Sequence, residues 1–142
     1  MKSILLTALV ALTTLTSTVI ADDMVSSSAP NAQVYLIEPA DGATVTGSFT
    51  VKFGLSGMGV APAGVNVANT GHHHLLIDTT ELPDTTQPLP ANEHVKHFGK
   101  GQTETELTLS PGEHTLQLLL GNYLHIPHDK PVLSEKITIT VE

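Results

Sequence analysis

Cysteine, tryptophan and arginine are all missing from this chain of 142 residues. Without cysteine there is no disulfide, no thiolate metal ligand and no thiol nucleophile, so a hydrophobic core has to hold the fold. Six lysines stand against 14 acidic residues, for a formal net charge of −8. Nucleic-acid binding depends on neutralising phosphates with lysine and arginine, which makes this chain a poor candidate for it. An anionic membrane surface is disfavoured for the same reason. Aromatics make up only 4% of the residues, so platforms for stacking on sugars are scarce. No apolar run is long enough to span a bilayer. There is also no Gly-x-Ser-x-Gly nucleophile motif, no internal repeat, and no helical periodicity beyond the first residues.

The chain opens with Lys2 and a threonine-diluted apolar stretch over residues 4–15, followed by Val19, Ile20 and Ala21. A short positive start, an apolar middle and a small-residue end form the pattern of a secretory signal peptide. Residues 1–21 are therefore expected to be cleaved, which places the protein in the periplasm or outside the cell, with no membrane insertion afterwards. Removing Lys2 takes the formal charge from −8 to −9. Residues 22–32 (DDMVSSSAPNA) are small and polar and read as a flexible linker. Residues 33–142 form the single domain.

Within that domain, short apolar alternations are separated by turn residues. Phe49, Val51, Phe53 and Leu55 alternate with Thr50, Lys52 and Gly54, the period of a strand with one buried face. Further strands are expected at residues 34–38, 72–78, 102–109 and 114–120, and around Ile137, Ile139 and Val141. Residues 56–70 read as a long loop. Pro83, Pro88 and Pro90 make residues 79–92 an irregular crossover. About seven strands at this spacing predict an all-β, immunoglobulin-like Greek-key β-sandwich.

The eight histidines all fall between His72 and His128. In an immunoglobulin-like sandwich the B–C, D–E and F–G loops gather at one end. His72 enters the strand after the B–C loop, His94 and His97 precede the fifth strand, and His125 and His128 lie in the F–G loop. If Leu75 and Ile77 face the core, so does His73, while His72 and His74 face outward, roughly 6.6 Å apart along the backbone. Imidazoles suit zinc, copper, nickel or iron. The expected ligands of a copper or zinc ion are thus His72, His74, His97 and His125, with His73, His94 and His128 in reserve. Each imidazole usually hands its second nitrogen to a polar partner, and Gln102, Glu104 and Asp129 are the nearby candidates. His114 sits where such folds place an inward aromatic at the E–F corner, so its expected role is structural. Gly99, Lys100 and Gly101 form a tight turn that positions His97; the spacing is not that of a phosphate-binding loop.

The segments GHHHLLID (residues 71–78), HFGKGQTE (residues 97–104), PGEHTLQLLL (residues 111–120) and HIPH (residues 125–128) resemble the bacterial exported family called domain of unknown function 4399. The resemblance runs from about residue 34 to residue 141. It implies a small exported domain with these histidine motifs as its hallmark, and no particular activity. On the residues themselves, the leading expectation is a histidine-rich metal-binding domain for buffering, delivery or resistance, with no catalytic residues. The alternative is an interaction module that uses the same loops to bind a periplasmic protein or a glycan, its histidines making polar contacts or sensing pH. A copper redox enzyme resembling Cu/Zn superoxide dismutase is a third reading. The absence of arginine to guide an anionic substrate counts against it.

Overall fold

In the computed structural model, residues 24–142 are described, and the expected signal peptide lies outside them. Nine strands occur among the described residues: β1 (Gln33–Glu38), β2 (Thr44–Val45), β3 (Ser48–Ser56), β4 (Gly59–Val60), β5 (Thr70–Ile77), β6 (Val95–His97), β7 (Glu104–Thr108), β8 (Gly112–Gly121) and β9 (Ile137–Val141). The fold is all-β. Two open sheets are present, one in the order β1-β3-β7, the other in the order β2-β9-β8-β5-β4 with β6 also on β5. Six of the nine have five or more residues and correspond to the strands read in the sequence, whereas β2, β4 and β6 are only two or three residues long. A strand that short has no period to read.

The alternation read in the sequence is what fills the core. Val34, Phe49, Val51, Phe53 and Leu107 of the smaller sheet meet Leu75, Ile77, Leu116, Leu118, Leu120, Ile137, Ile139 and Val141 of the larger one in a single cluster. Fully burying each large aliphatic or phenyl side chain contributes about 1.5–3 kcal/mol, which is how a chain without cross-links holds its two sheets together.

The other face of the larger sheet is covered as well. Leu76 and Leu119 point out of it and pack with Leu89, Val95 and the half-buried Leu133 in a second cluster. Residues 79–94 carry no strand, as the three prolines require, and run across this face. Backbone bonds fasten that crossover, including Leu89 N–H to His125 O at 2.9 Å and Ile77 N–H to His94 O at 2.8 Å. In consequence every residue of β5 after Thr70 is buried. The outward side of the histidine strand is therefore an interior surface. The placement of His97 also departs from expectation. It lies in β6, an edge strand paired antiparallel with β5, instead of in a loop leading to the next strand.

The part of the expected linker that is described, residues 24–32, is fastened to the 122–129 loop. The Asn122 amide donates to Met24 O (2.8 Å) and Ser26 Oγ (3.1 Å), Asp129 N–H donates to Ser26 O (3.0 Å), and Ser28 N–H donates to Asp129 Oδ1 (2.9 Å).

Candidate metal centre

On β5, His72 and His74 project from the face opposite Leu75 and Ile77, as the period of two dictates. His74 stands directly across from His97 in the β5–β6 ladder, and His72 across from Gly121 in the β5–β8 ladder. His125 closes the group from the loop after β8. Each of these four side chains offers one ligand atom, and the four atoms lie within 4.8 Å of one another. Ring nitrogen Nε2 of His72 is 3.1 Å from Nδ1 of His125 and 3.2 Å from Nε2 of His97. A neutral ring nitrogen carries either one proton or one lone pair, so it can make one of these contacts as a good hydrogen bond, not both. A cation held among the lone pairs would satisfy all of them. Ligand nitrogens at about 2.0–2.1 Å from a tetrahedral ion sit roughly 3.3–3.4 Å apart, close to the two spacings observed.

Glycine makes room for the rings. A Cβ at Gly121 would lie 2.6 Å from His74 Cε1 and 3.1 Å from its Nδ1, and one at Gly99 would overlap the His97 ring. His125 takes a left-handed backbone, φ 66°, uncommon for a residue with a side chain. Asn122 holds it there: its Oδ1 accepts from Leu124 N–H (2.8 Å) and Ile126 N–H (3.1 Å), while Asn122 N–H donates to Ile126 O (2.8 Å). Neither Gly121 nor Asn122 stands out in the sequence, because what each does depends on partners from other strands. Gly121→Ala is expected to displace the His74 ring and, for an ion held by the four nitrogens, to weaken its binding at least tenfold by calorimetry, with the strand content of the circular dichroism spectrum retained. Unchanged affinity would mean that the His74 ring is not fixed by this backbone.

Burial sets the charge state of the group. His72 and His74 are 0% and 1% exposed. Desolvation first, then the mutual repulsion of neighbouring histidines, pushes His72 down to about 4 and His74 down to about 3. Desolvation and His125 lower His97 too. The buried rings are therefore neutral at pH 7, the form that binds metals. No carboxylate hydrogen-bonds to any of the four among the described residues; the histidine–carboxylate pairs are His94 with Glu93 and His114 with Asp78. The group opens to solvent at His97, which is exposed, and at the half-buried His125.

The remaining candidates have other surroundings. His73 faces the core, its ring centroid 5.2 Å from that of Phe53, with both nitrogens unpartnered and its pKa pushed down to about 4 by burial. Buried His128 donates from Nε2 to Thr70 O at 3.1 Å. His94 donates from Nδ1 to Ile77 O at 3.0 Å, at the far end of β5. The expected partners of the imidazoles bond elsewhere. Gln102 Oε1 accepts from Lys100 N–H within its own turn, and Asp129 binds Ser28 and Lys130. Glu104 lies on β7 opposite Lys52, in the other sheet. Polar residues close in sequence to a histidine had no strand register to place them.

His114 has a structural setting at the opposite end of β5. Its Nδ1 donates to Asp78 Oδ2 at 2.7 Å and its Nε2 to Ser110 O at 2.8 Å. The hydrogen bond to Asp78 is the main reason its pKa is raised. Burial works against ionisation of Asp78, but the bonds from His114 and Thr115 N–H outweigh it and lower the pKa of that carboxyl.

No curated protein matches the chain. Among solved structures it is similar to part of the endo-beta-1,4-mannanase from Thermotoga petrophila, at 17% identity and a TM-score of 0.46, over 79% of this chain and 20% of that one. The chain thus spans about a fifth of that enzyme's length. The described histidine motifs fall within residues 51–142, which match a family described as Domain of unknown function (DUF4399), and the chain belongs to that family.

Proposed function

We propose that the domain binds one transition-metal ion, copper or zinc, through His72, His74, His97 and His125, and that its role is to buffer, deliver or detoxify that ion outside the cytoplasm. The observation that carries this reading is the convergence of four imidazoles from three chain segments, with His72 Nε2 in contact with two other ring nitrogens that it cannot both satisfy. The neutral state of the buried rings and the glycines that leave room for two of them support it. The solvent-facing His97 gives the ion a way in and out, which suits exchange better than a sealed structural role. The expected export signal supports a periplasmic or secreted location. For the fold we favour an immunoglobulin-like Greek key, with β1-β3-β7 as strands A, B and E and β9-β8-β5 as G, F and C. The bond from His114 to Ser110 O then stands where the tyrosine corner of such domains bonds its upstream backbone.

Calorimetric titration of the untagged mature protein with Cu(II) and Zn(II), at pH 7.4 and again at pH 5, tests the metal reading. One-to-one, sub-micromolar binding of at least one ion that fades at the lower pH is expected. Absence of binding tighter than millimolar at pH 7.4 would overturn it.

A further inference from the structure

We propose that the site selects copper in its monovalent state. This rests on the metal-binding reading above and adds the oxidation state and the competing ions it rejects.

Shape gives the first argument. Divalent copper favours a tetragonal, near-square set of nitrogens, whereas monovalent copper and zinc, both d10 ions, impose no such plane. In a square of four rings, two opposite pairs must be the long diagonals. The ring centroids here are 4.8 Å (His72–His74), 5.0 Å (His72–His97), 5.0 Å (His72–His125), 5.1 Å (His74–His97) and 4.5 Å (His97–His125) apart, and only His74–His125 is longer, at 6.1 Å. The diagonal that should accompany it, His72–His97, is as short as the edges, and its nitrogens are 3.2 Å apart. The arrangement is three-dimensional. Flattening it would require His72 and His97 to part, although they stand on β5 and β6, which are paired in one ladder.

Charge gives the second argument and separates monovalent copper from zinc. All four ligands are imidazoles, which bring no negative charge to an ion, and no carboxylate bonds to their rings among the described residues. The second nitrogen of His72, Nδ1, is buried with no hydrogen-bond partner among the described residues. Zinc-bound histidines commonly hand that nitrogen to a carboxylate or carbonyl, which makes the ring more basic and offsets the ion's charge. The cost of bringing an ion into a desolvated site rises with the square of its charge, so a dication is penalised about four times as heavily as a monocation. Thioethers and thiolates are the usual means of selecting monovalent copper. Here the same preference arises from a charge-free pocket that resists a square.

The test is an anaerobic competition of the mature protein against the chromophoric Cu(I) chelator bicinchoninate, with parallel titrations of Cu(II) and Zn(II) at pH 7.4. Cu(I) is expected to bind at least tenfold more tightly than either divalent ion. Each tenfold preference over Cu(II) corresponds to a rise of about 59 mV in the potential of the bound couple. Tighter binding of Cu(II) or Zn(II) overturns this inference and leaves the metal site standing, whereas no binding of any of the three ions removes both. His97→Asp places a carboxylate on the exposed edge of the group and is expected to shift the Cu(I)-to-Zn(II) affinity ratio at least tenfold towards zinc. An unchanged ratio overturns the charge argument.

Discussion

If the proposed ion binds as inferred, the protein is expected to melt 10 °C or more above its chelator-treated form in an excess of that ion, and a His72→Ala/His74→Ala variant is expected to melt at the same temperature with or without it. An ion that binds only the folded state stabilises it by about 4 kcal/mol when its free concentration is 1,000 times the dissociation constant. For a domain of this size each kcal/mol moves the melting point by roughly 3–5 °C. The double variant is decisive because His72 contacts both His97 and His125, and His74 anchors the ladder pair. Its metal-free form should remain folded. The substitutions open a cavity, but they also remove the buried Nδ1 atoms of His72 and His74, which have no hydrogen-bond partner among the described residues. Differential scanning calorimetry with and without chelator reads the effect. An equal rise in both proteins would place the ion elsewhere.

The second large effect is the acid sensitivity of the metal-free protein. His72, His73 and His74 have folded-state pKa values lowered to about 4, 4 and 3, against 6.5 when unfolded. In the unfolded chain these rings take up protons as pH falls below 6.5, while in the folded protein they cannot until about pH 4. Their contribution to stability is therefore complete above pH 6.5 and is lost as pH falls towards 4. The loss is about 1.4 kcal/mol per ring per pH unit inside that window. Between pH 6.5 and pH 5 the three together withdraw on the order of 5 kcal/mol, a large part of the stability of an ordinary domain. Urea unfolding in the presence of chelator at pH 7.5, 6 and 5 should show the midpoint collapsing over this range. His73→Leu, which puts a hydrocarbon beside Phe53, should flatten the profile. A midpoint that hardly moves down to pH 5 would show that the rings are already protonated in the folded state. His114 acts in the opposite sense: its raised pKa contributes below 6.5 and is lost as pH rises through the folded value.

The sequence disclosed the four converging histidines because two ordinary facts reach that far. A period of two puts His72 and His74 on one face and His73 with Leu75 and Ile77 on the other. The order of the strands then returns residues 97 and 125 to that neighbourhood. What it did not disclose was cover and register. Nothing local says that residues 79–94 will lie across the outer face, because Leu89 and Val95 acquire their partners, Leu76 and Leu119, only after the chain has folded back. The same holds for β6. Three residues cannot show an alternation, and only pairing with β5 turns His97 from a loop residue into the partner of His74. Proximity along the chain puts Gln102, Glu104 and Asp129 beside the histidines, but Gln102 and Asp129 bond to other groups and Glu104 lies in the other sheet.

The alternation along β5 has a bearing on how the chain avoids misfolding. Displacing this strand by one residue against β8 would turn His72 and His74 inward onto Phe53 and Phe98 and carry Leu75 and Ile77 out among the other imidazoles. A slip by two would restore the faces but bring the close backbone contact at Gly71, whose missing Cβ would stand 2.7 Å from Gly121 O, against a different residue. Chemistry penalises odd displacements and sterics even ones. A buried strand with three consecutive polar rings thereby favours a single alignment with its neighbour.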